Sequence, residues 1–193
     1  MKKEKKKKDK KGKKAKTAIV VNIAGGPGTG KSILTAKLFA KLKEKFISCE
    51  VSSEYIKRKL REDARKVVQN QIYIFAKQQF QLFGMKDNVD VIITDSPFFL
   101  CSVYDSTNCP QLKALILKEY KSYQNLTYLV QRDDSVPYEQ EGRYQDKEGA
   151  KQVDIKVEKF MQENDIPYET VIGIGKGTRK KIVKDVIKKL SKR

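Results

Sequence analysis

Eight consecutive residues near the start of the chain combine four glycines with a lysine and a serine at fixed spacing. The segment GGPGTGKS fits the pattern G-x-x-x-x-G-K-S/T in full. Its glycines permit backbone angles that turn successive N–H groups toward one phosphate group. Lys31 would reach the β- and γ-phosphates, and the Ser32 hydroxyl would bind Mg²⁺. The segment therefore predicts a site for the phosphates of ATP or GTP with Mg²⁺, made of Gly25, Gly26, Pro27, Gly28, Thr29, Gly30, Lys31 and Ser32.

Two acidic residues stand directly after strand-like runs. In open parallel sheets, ligands bind beyond the carboxyl ends of the strands, so both carboxylates are candidates for the site. Asp95 closes the run VIIT, and we expect it to bind the Mg²⁺ hydration shell or to orient an acceptor hydroxyl; the alternative is helix capping. Glu54 follows the run VSS and would take the proton from an attacking hydroxyl, unless it only complements a helix dipole.

Two arginines lie in or beside the polar stretch 133–148. Phosphoryl transfer spreads negative charge over the γ-phosphate oxygens, and arginines delivered by a closing loop stabilise that charge while excluding water. Arg132 and Arg143 are therefore predicted to be catalytic residues of a small lid, with Gly142 as its flexible point. The alternative is an exposed loop whose arginines form surface salt bridges.

Amides and phenols recur along one predicted helix. On a helix over the site they would hydrogen-bond a base or a ribose, although most helical glutamines are simply exposed to solvent. The side chains in question are Gln69, Gln71, Tyr73, Gln78, Gln79 and Gln81.

Short apolar runs alternate with helical patterns along the chain, and these elements must position the candidate residues. The predicted strands are 18–24, 49–52, 89–94, 126–130 and 168–174. The predicted helices are 31–45, 54–83, 112–121, 152–164 and 180–192, and the long stretch 54–83 allows for a break in its middle. This alternation indicates an α/β fold, a three-layer α/β/α sandwich of the P-loop NTPase type with a mostly parallel five-stranded sheet and a small lid.

Four segments in this order resemble one known family. They are the glycine-rich segment, SEY at 53–55, TDSP at 94–97 and EGRYQ at 141–145. Together they resemble the P-loop kinases similar to the nicotinamide riboside kinase domain of NadR, a group with many bacteriophage members, over residues 18–190. The resemblance implies a kinase domain in which Glu54 and Asp95 lie on the acceptor side and Arg143 lies in the lid. The chain lacks an adenylyltransferase domain, so riboside specificity does not carry over.

The net charge of +18 is concentrated at the N-terminus. Residues 1–16 hold eleven lysines against Glu4 and Asp9, a net of +9. A block of this density repels itself and buries nothing, so we expect residues 1–16 to be a disordered tail and 17–193 to be the kinase domain. The tail would contact a polyanion, nucleic acid first and an anionic membrane second; the alternative is a solubilising or localising role.

The rest of the composition excludes some catalytic groups and indicates a cellular compartment. There is no histidine, so proton transfer falls to a carboxylate, a tyrosine or a lysine. Three cysteines at 49, 101 and 109 have no metal-type spacing and are expected to be reduced. No run approaches the ~20 apolar residues of a membrane span, and we expect a cytoplasmic protein.

Three functions remain open at this stage. The first is an ATP-dependent kinase that phosphorylates a hydroxyl of a nucleoside, a nucleotide or a riboside-type acceptor. The second keeps the chemistry but places the hydroxyl within DNA or RNA, such as hydroxymethyluracil in phage DNA, which would suit a lysine-rich tail. The third is a module that hydrolyses or senses NTP and switches a partner; against it, the chain has no N-K-x-D motif for guanine.

Overall fold

The computed structural model describes residues 17–52, 69–133 and 147–193. Within these ranges five strands alternate with six helices. In chain order the elements are β1 (Ile19–Ala24), α1 (Lys31–Lys43), β2 (Cys49–Ser52), α2 (Gln71–Met85), β3 (Val91–Thr94), α3 (Leu100–Tyr104), α4 (Pro110–Lys121), β4 (Gln124–Gln131), α5 (Lys147–Glu163), β5 (Glu169–Ile172) and α6 (Lys176–Leu190).

The five strands form one sheet in the order β2-β3-β1-β4-β5, and every described pair is parallel. Asn22 of β1 lies opposite Thr94 of β3, so these two strands end side by side. The carboxyl ends of all five strands therefore share one edge, where parallel sheets place their ligands. The predicted three-layer α/β/α sandwich is confirmed.

Helices cover both faces of the sheet. Leu34, Leu38 and Leu42 of α1 pack in one core with Ile182 and Val186 of α6. The helices α2, α3, α4 and α5 form the other core. Because β1 is central, its side chains are buried alternately in both cores, which explains its unbroken apolar sequence.

The structure places a break in one predicted helix and adds a helix that was not predicted. The helical stretch 54–83 allowed for a break in its middle, and α2 begins after Asn70, whose side-chain oxygen accepts the Tyr73 N–H at 3.0 Å and caps the helix. The five-residue helix α3 was not predicted, because one turn shows no periodicity. The tail 1–16, the segment 53–68 with Glu54, and most of the predicted lid, 134–146 with Arg143, lie outside the described residues.

Candidate active site

The glycine-rich segment joins β1 to α1, as the motif predicts. Three of its glycines have positive φ, namely Gly25 at 140°, Gly28 at 83° and Gly30 at 84°, and such angles strain any residue with a Cβ. At Gly30 a Cβ would also lie 2.8 Å from the Ile174 Cγ2 atom. The loop backbone thus has the conformation that only this glycine pattern supports.

Lys31 is held across the phosphate loop, residues 25–32. Its ammonium donates to the Gly26 carbonyl at 2.6 Å, and the Thr29 hydroxyl donates to the same oxygen at 3.1 Å. Ser32 follows in the first turn of α1, which adds the positive end of the helix dipole. The lysine and the serine therefore lie where bound phosphates would meet both.

An ion pair supports the outer side of this loop. Arg132, just after β4, donates from Nε to Asp154 Oδ2 at 2.5 Å and from a terminal nitrogen to the Pro27 carbonyl at 2.6 Å. The other carboxylate oxygen of Asp154 accepts the Gly26 N–H at 2.7 Å. The side chains of the pair are 13% and 27% exposed, so solvent screens their charges only partly. We call Arg132 and Asp154 the loop brace.

Asp154 was missed by the sequence analysis. It lies 128 residues from Gly26 along the chain, and nothing local marks it. The one available signal is its place on α5, directly after Val153 on the edge of the buried stripe of that helix. An acidic residue there needs a partner more often than one on the exposed face.

Asp95 directly follows β3, the neighbour of β1 in the sheet, and is 4% exposed. It is not the residue that caps α3, because that helix begins at Leu100 with Phe99 as its N-cap. The backbone turns sharply here, and the Ser96 N–H donates to the Thr94 hydroxyl at 3.1 Å. The carboxylate is therefore held at the ligand-binding edge of the sheet.

A narrow cleft of about 10 Å³ beside Lys31, with room for about one water molecule, has a polar wall. Its lining includes Gln71, Gln78 and Ser96 with Cys101 and Tyr104. Gln78, only 2% exposed, donates to the Ser96 hydroxyl at 2.6 Å, and its carbonyl oxygen accepts the Cys101 thiol at 3.4 Å. Burial raises the pKa of Cys101 to about 12, which keeps this thiol a donor.

Not every amide on α2 lies in this cleft. Gln79 donates to Glu119 at 3.4 Å, and Gln81 accepts from the Ser52 hydroxyl at 3.2 Å. Gln71 and Gln78 are thus the glutamines of α2 that the structure brings to Lys31. Of the predicted site residues, the structure brings the phosphate loop, Asp95 and Arg132 to the same edge of the sheet, and Glu54 and Arg143 lie outside the described residues.

The fold and this edge of the sheet define a P-loop nucleotide-binding protein. A protein-family model described as AAA domain (AAA_28) matches residues 20–178, and the chain therefore belongs to that family. A search of curated proteins finds no match.

Two solved structures show how widely the fold is shared. The thymidylate kinase of Ehrlichia chaffeensis matches with a TM-score of 0.59 and 14% identity, over 91% of this chain and 99% of that one. The NadR protein in complex with NR matches with a TM-score of 0.62 and 18% identity, over 92% of this chain and 52% of that one. The chain thus spans about half of the NadR chain. The predicted resemblance to the NadR-like P-loop kinases is confirmed in the fold.

Proposed function

We propose that this protein is an ATP-dependent kinase that transfers the γ-phosphate to a hydroxyl of a nucleoside, a nucleotide or a riboside-type acceptor. The observation that carries the proposal is the narrow cleft, here called the acceptor cleft, in which Lys31 of the phosphate loop shares its lining with Gln78 and Ser96. The cleft holds only about 10 Å³, so the γ-phosphate would lie at Lys31, the acceptor hydroxyl would contact the polar wall, and the rest of the acceptor would lie outside the cleft. Two similar structures, a thymidylate kinase and a NadR complex with NR, support an acceptor of this class.

The chain's own residues account for the main steps. The acceptor hydroxyl oxygen forms a bond to the γ-phosphorus while the bond to the β–γ bridging oxygen breaks, and ADP leaves. Lys31 exchanges the Gly26 carbonyl for the phosphate oxygens and stabilises their developing charge. The acceptor's proton passes to a carboxylate, the role that the sequence gives to Glu54.

Ser32 and Asp95 would hold Mg²⁺. Ser32 supplies a hydroxyl from the first turn of α1, and Asp95 supplies a carboxylate directly after β3. Mg²⁺ prefers one or two such oxygens together with substrate phosphates and water. When bound, the ion would neutralise charge on the β- and γ-phosphates. No cluster of three or more His, Cys, Asp or Glu side chains occurs among the described residues, which agrees with so sparse a protein contribution.

A hydroxyl within DNA or RNA is the second candidate acceptor. The eleven lysines among residues 1–16 favour it, because each phosphate contact adds salt-sensitive affinity for a polymer. Among the described residues, no helix is suited to crossing a bilayer. This finding is consistent with either acceptor. An NTP-sensing module remains the third hypothesis, but such a module has no need of the polar wall.

One experiment separates these functions. The protein is incubated with Mg²⁺ and ATP labelled in the γ-phosphate, together with nucleosides, mononucleotides, ribosides, plain DNA or hydroxymethylated DNA. We expect the label on a small acceptor. Label on the polymer alone would establish the second function, and label released only as inorganic phosphate in every mixture would overturn the kinase proposal.

Lys31→Ala is the matched inactive control. The substitution removes a cation from the phosphates and little from the core, so transfer should fall below detection while the thermal unfolding curve stays unchanged. A Lys31→Ala protein with near-normal turnover would show that the phosphate loop does not serve the reaction being measured.

A further inference from the structure

A basic groove lies on the face of the molecule away from the acceptor cleft. It runs between α1 and α6, has a volume of about 610 Å³, and is lined by Lys37, Lys41, Lys45, Lys176, Lys180 and Lys184, with Arg179 beside them. The acceptor cleft instead borders α2 and α3 on the opposite layer. The basic groove is therefore separate from the proposed reaction site.

The lysines form two regular rows. Lys37 and Lys41 on α1 are four residues apart, as are successive members of Lys176, Lys180 and Lys184 on α6, and four helical residues advance about 6 Å. Lys45 follows in the turn after α1. The α6 wall thus presents a cation on every turn, and the α1 wall presents two before that helix ends. Such rows suit a ligand whose own negative charge repeats along its length.

These charges have little compensation within the described part of the chain. Glu44 is the one acidic residue in the lining, and it pairs with Lys41 at 2.6 Å. The ion pairs between described residues include no other cation of the groove. Seven cations around one concavity repel each other, and a bound polyanion would relieve that repulsion.

One exposed aromatic side chain lies outside the lining of the basic groove but is next to Lys45 in the sequence. Phe46 follows Lys45, is 99% exposed, and has a φ of 59°, which is rare for a residue with a Cβ. Its N–H donates to the Lys43 carbonyl at 2.9 Å, which holds this turn. A basic groove combined with an exposed aromatic ring is the arrangement that binds single-stranded nucleic acid, through phosphates and base stacking.

We propose that the basic groove binds single-stranded nucleic acid, with phosphates along the two lysine rows and a base stacked on Phe46. Concavity favours this ligand over a membrane, because a flat bilayer surface cannot enter a groove between two helices. The apolar floor of Ala40, Val183 and Ile187 offers contact to sugars and bases. The basic groove would hold a polynucleotide near the enzyme whichever acceptor the kinase uses.

The test measures binding of a fluorescent oligothymidylate by the full-length protein over a salt series. The groove variant combines Lys37→Gln, Lys180→Gln and Lys184→Gln. The matched control removes the same charge from exposed lysines of α4 and α5, through Lys118→Gln, Lys121→Gln and Lys156→Gln. Both variants keep residues 1–16, so any contribution of the tail is common to them.

We expect the groove variant to bind roughly tenfold more weakly and to lower the slope of log affinity against log salt by about 2, since three contacts are lost at about 0.7 each. The control variant should stay within about twofold of the parent protein. Equal weakening in both variants, or none in the groove variant, would overturn the proposal. So would a groove variant that loses binding to phosphatidylserine vesicles but keeps the oligonucleotide.

Phe46→Ala tests the stacking contact independently. Stacking releases no counter-ion, so the variant should bind more weakly with the same salt slope. Phe80→Ala, at a 72% exposed position on α2, is the matched control and should bind as the parent does. Identical affinities for Phe46→Ala and the parent protein would remove Phe46 from the site.

Discussion

At the scale of single residues, Asp95 is the side chain whose setting most needs an explanation. A carboxylate at 4% exposure loses most of its hydration, and that loss is costly unless a charge or hydrogen bonds compensate it. Asp95 directly follows β3 at the ligand-binding edge of the sheet, where a bound Mg²⁺ would add a favourable positive charge.

Asp95→Asn should slow phosphoryl transfer roughly 10²-fold or more, because an amide keeps the shape of the side chain but cannot supply an anion near Mg²⁺. The concentration of Mg²⁺ needed for half-maximal rate should rise as well. The measurement is a Mg²⁺ titration of single-turnover transfer, accompanied by thermal unfolding. If the variant is less stable but transfers phosphate at the parent rate per folded molecule, Asp95 has a structural role instead.

At the scale of elements, the phosphate loop depends on contacts that arrive from β4 and α5. The loop brace joins Arg132 to Pro27 and Asp154 to Gly26, so two distant elements fix the backbone of the loop. The pair is also electrically balanced, and an unbalanced Asp154 would place a negative charge next to bound phosphates. Arg132 was predicted from sequence as a lid residue, and its catalytic role stays a prediction.

Variants of the loop brace should differ in a defined order. Arg132→Gln leaves the carboxylate of Asp154 facing the loop, so ATP should bind at least about tenfold more weakly. Asp154→Asn leaves a cation there and should weaken ATP binding less, and the double variant should fall between the two. ATP affinity by calorimetry, set against the single-turnover rate, measures this order.

If Arg132 is instead a catalytic residue, the same experiment should give different values of ATP affinity and transfer rate. An arginine that acts mainly in the transition state would lower the rate of Arg132→Gln with ATP affinity unchanged. That result, together with a double variant that binds ATP no more tightly than Arg132→Gln, would contradict the proposed role of the loop brace in ATP binding.

How much of the structure the sequence could predict depends on how far apart along the chain the interacting residues lie. The strands and the glycine-rich loop carry local signals, namely apolar runs of β-branched residues and glycines at fixed spacing, and the structure has the five strands and a loop between β1 and α1 where they were predicted. Asp154 and the basic groove depend on pairs of elements far apart in the chain, which no single segment records. The helix α3 has only five residues, too few for any period.

At the scale of the whole molecule, each of the two cores encloses groups that ionise at high pH. Burial raises the pKa of the Cys101 thiol to about 12, and burial likewise raises the pKa of the Tyr120 phenol in the same core. In the other core, burial first and then Asp185 raise the pKa of Tyr128. The Cys101 proton also serves the acceptor cleft, because it is donated to Gln78.

These groups predict how stability depends on pH. An unfolded chain releases the thiol proton near 9.0, whereas the folded chain keeps it to about 12. Between those values the unfolded state binds fewer protons, so the free energy of unfolding must fall as pH rises, and below pH 9 the contribution of Cys101 is fully present. One such group changes that free energy by about 1.4 kcal/mol per pH unit at most.

Cys101→Val should therefore flatten the alkaline decline. We expect the parent and the variant to show parallel, nearly level urea-unfolding free energies from pH 7 to about 8.5, since the thiol is protonated there in both states. Above pH 9 the parent should lose stability more steeply than Cys101→Val. Tyr120→Phe should flatten the decline as well, but only from the higher ordinary pKa of a phenol, 10.0. Equal slopes above pH 9 for the parent and Cys101→Val would mean that the thiol ionises without unfolding, and that the Cys101–Gln78 contact opens in the native state.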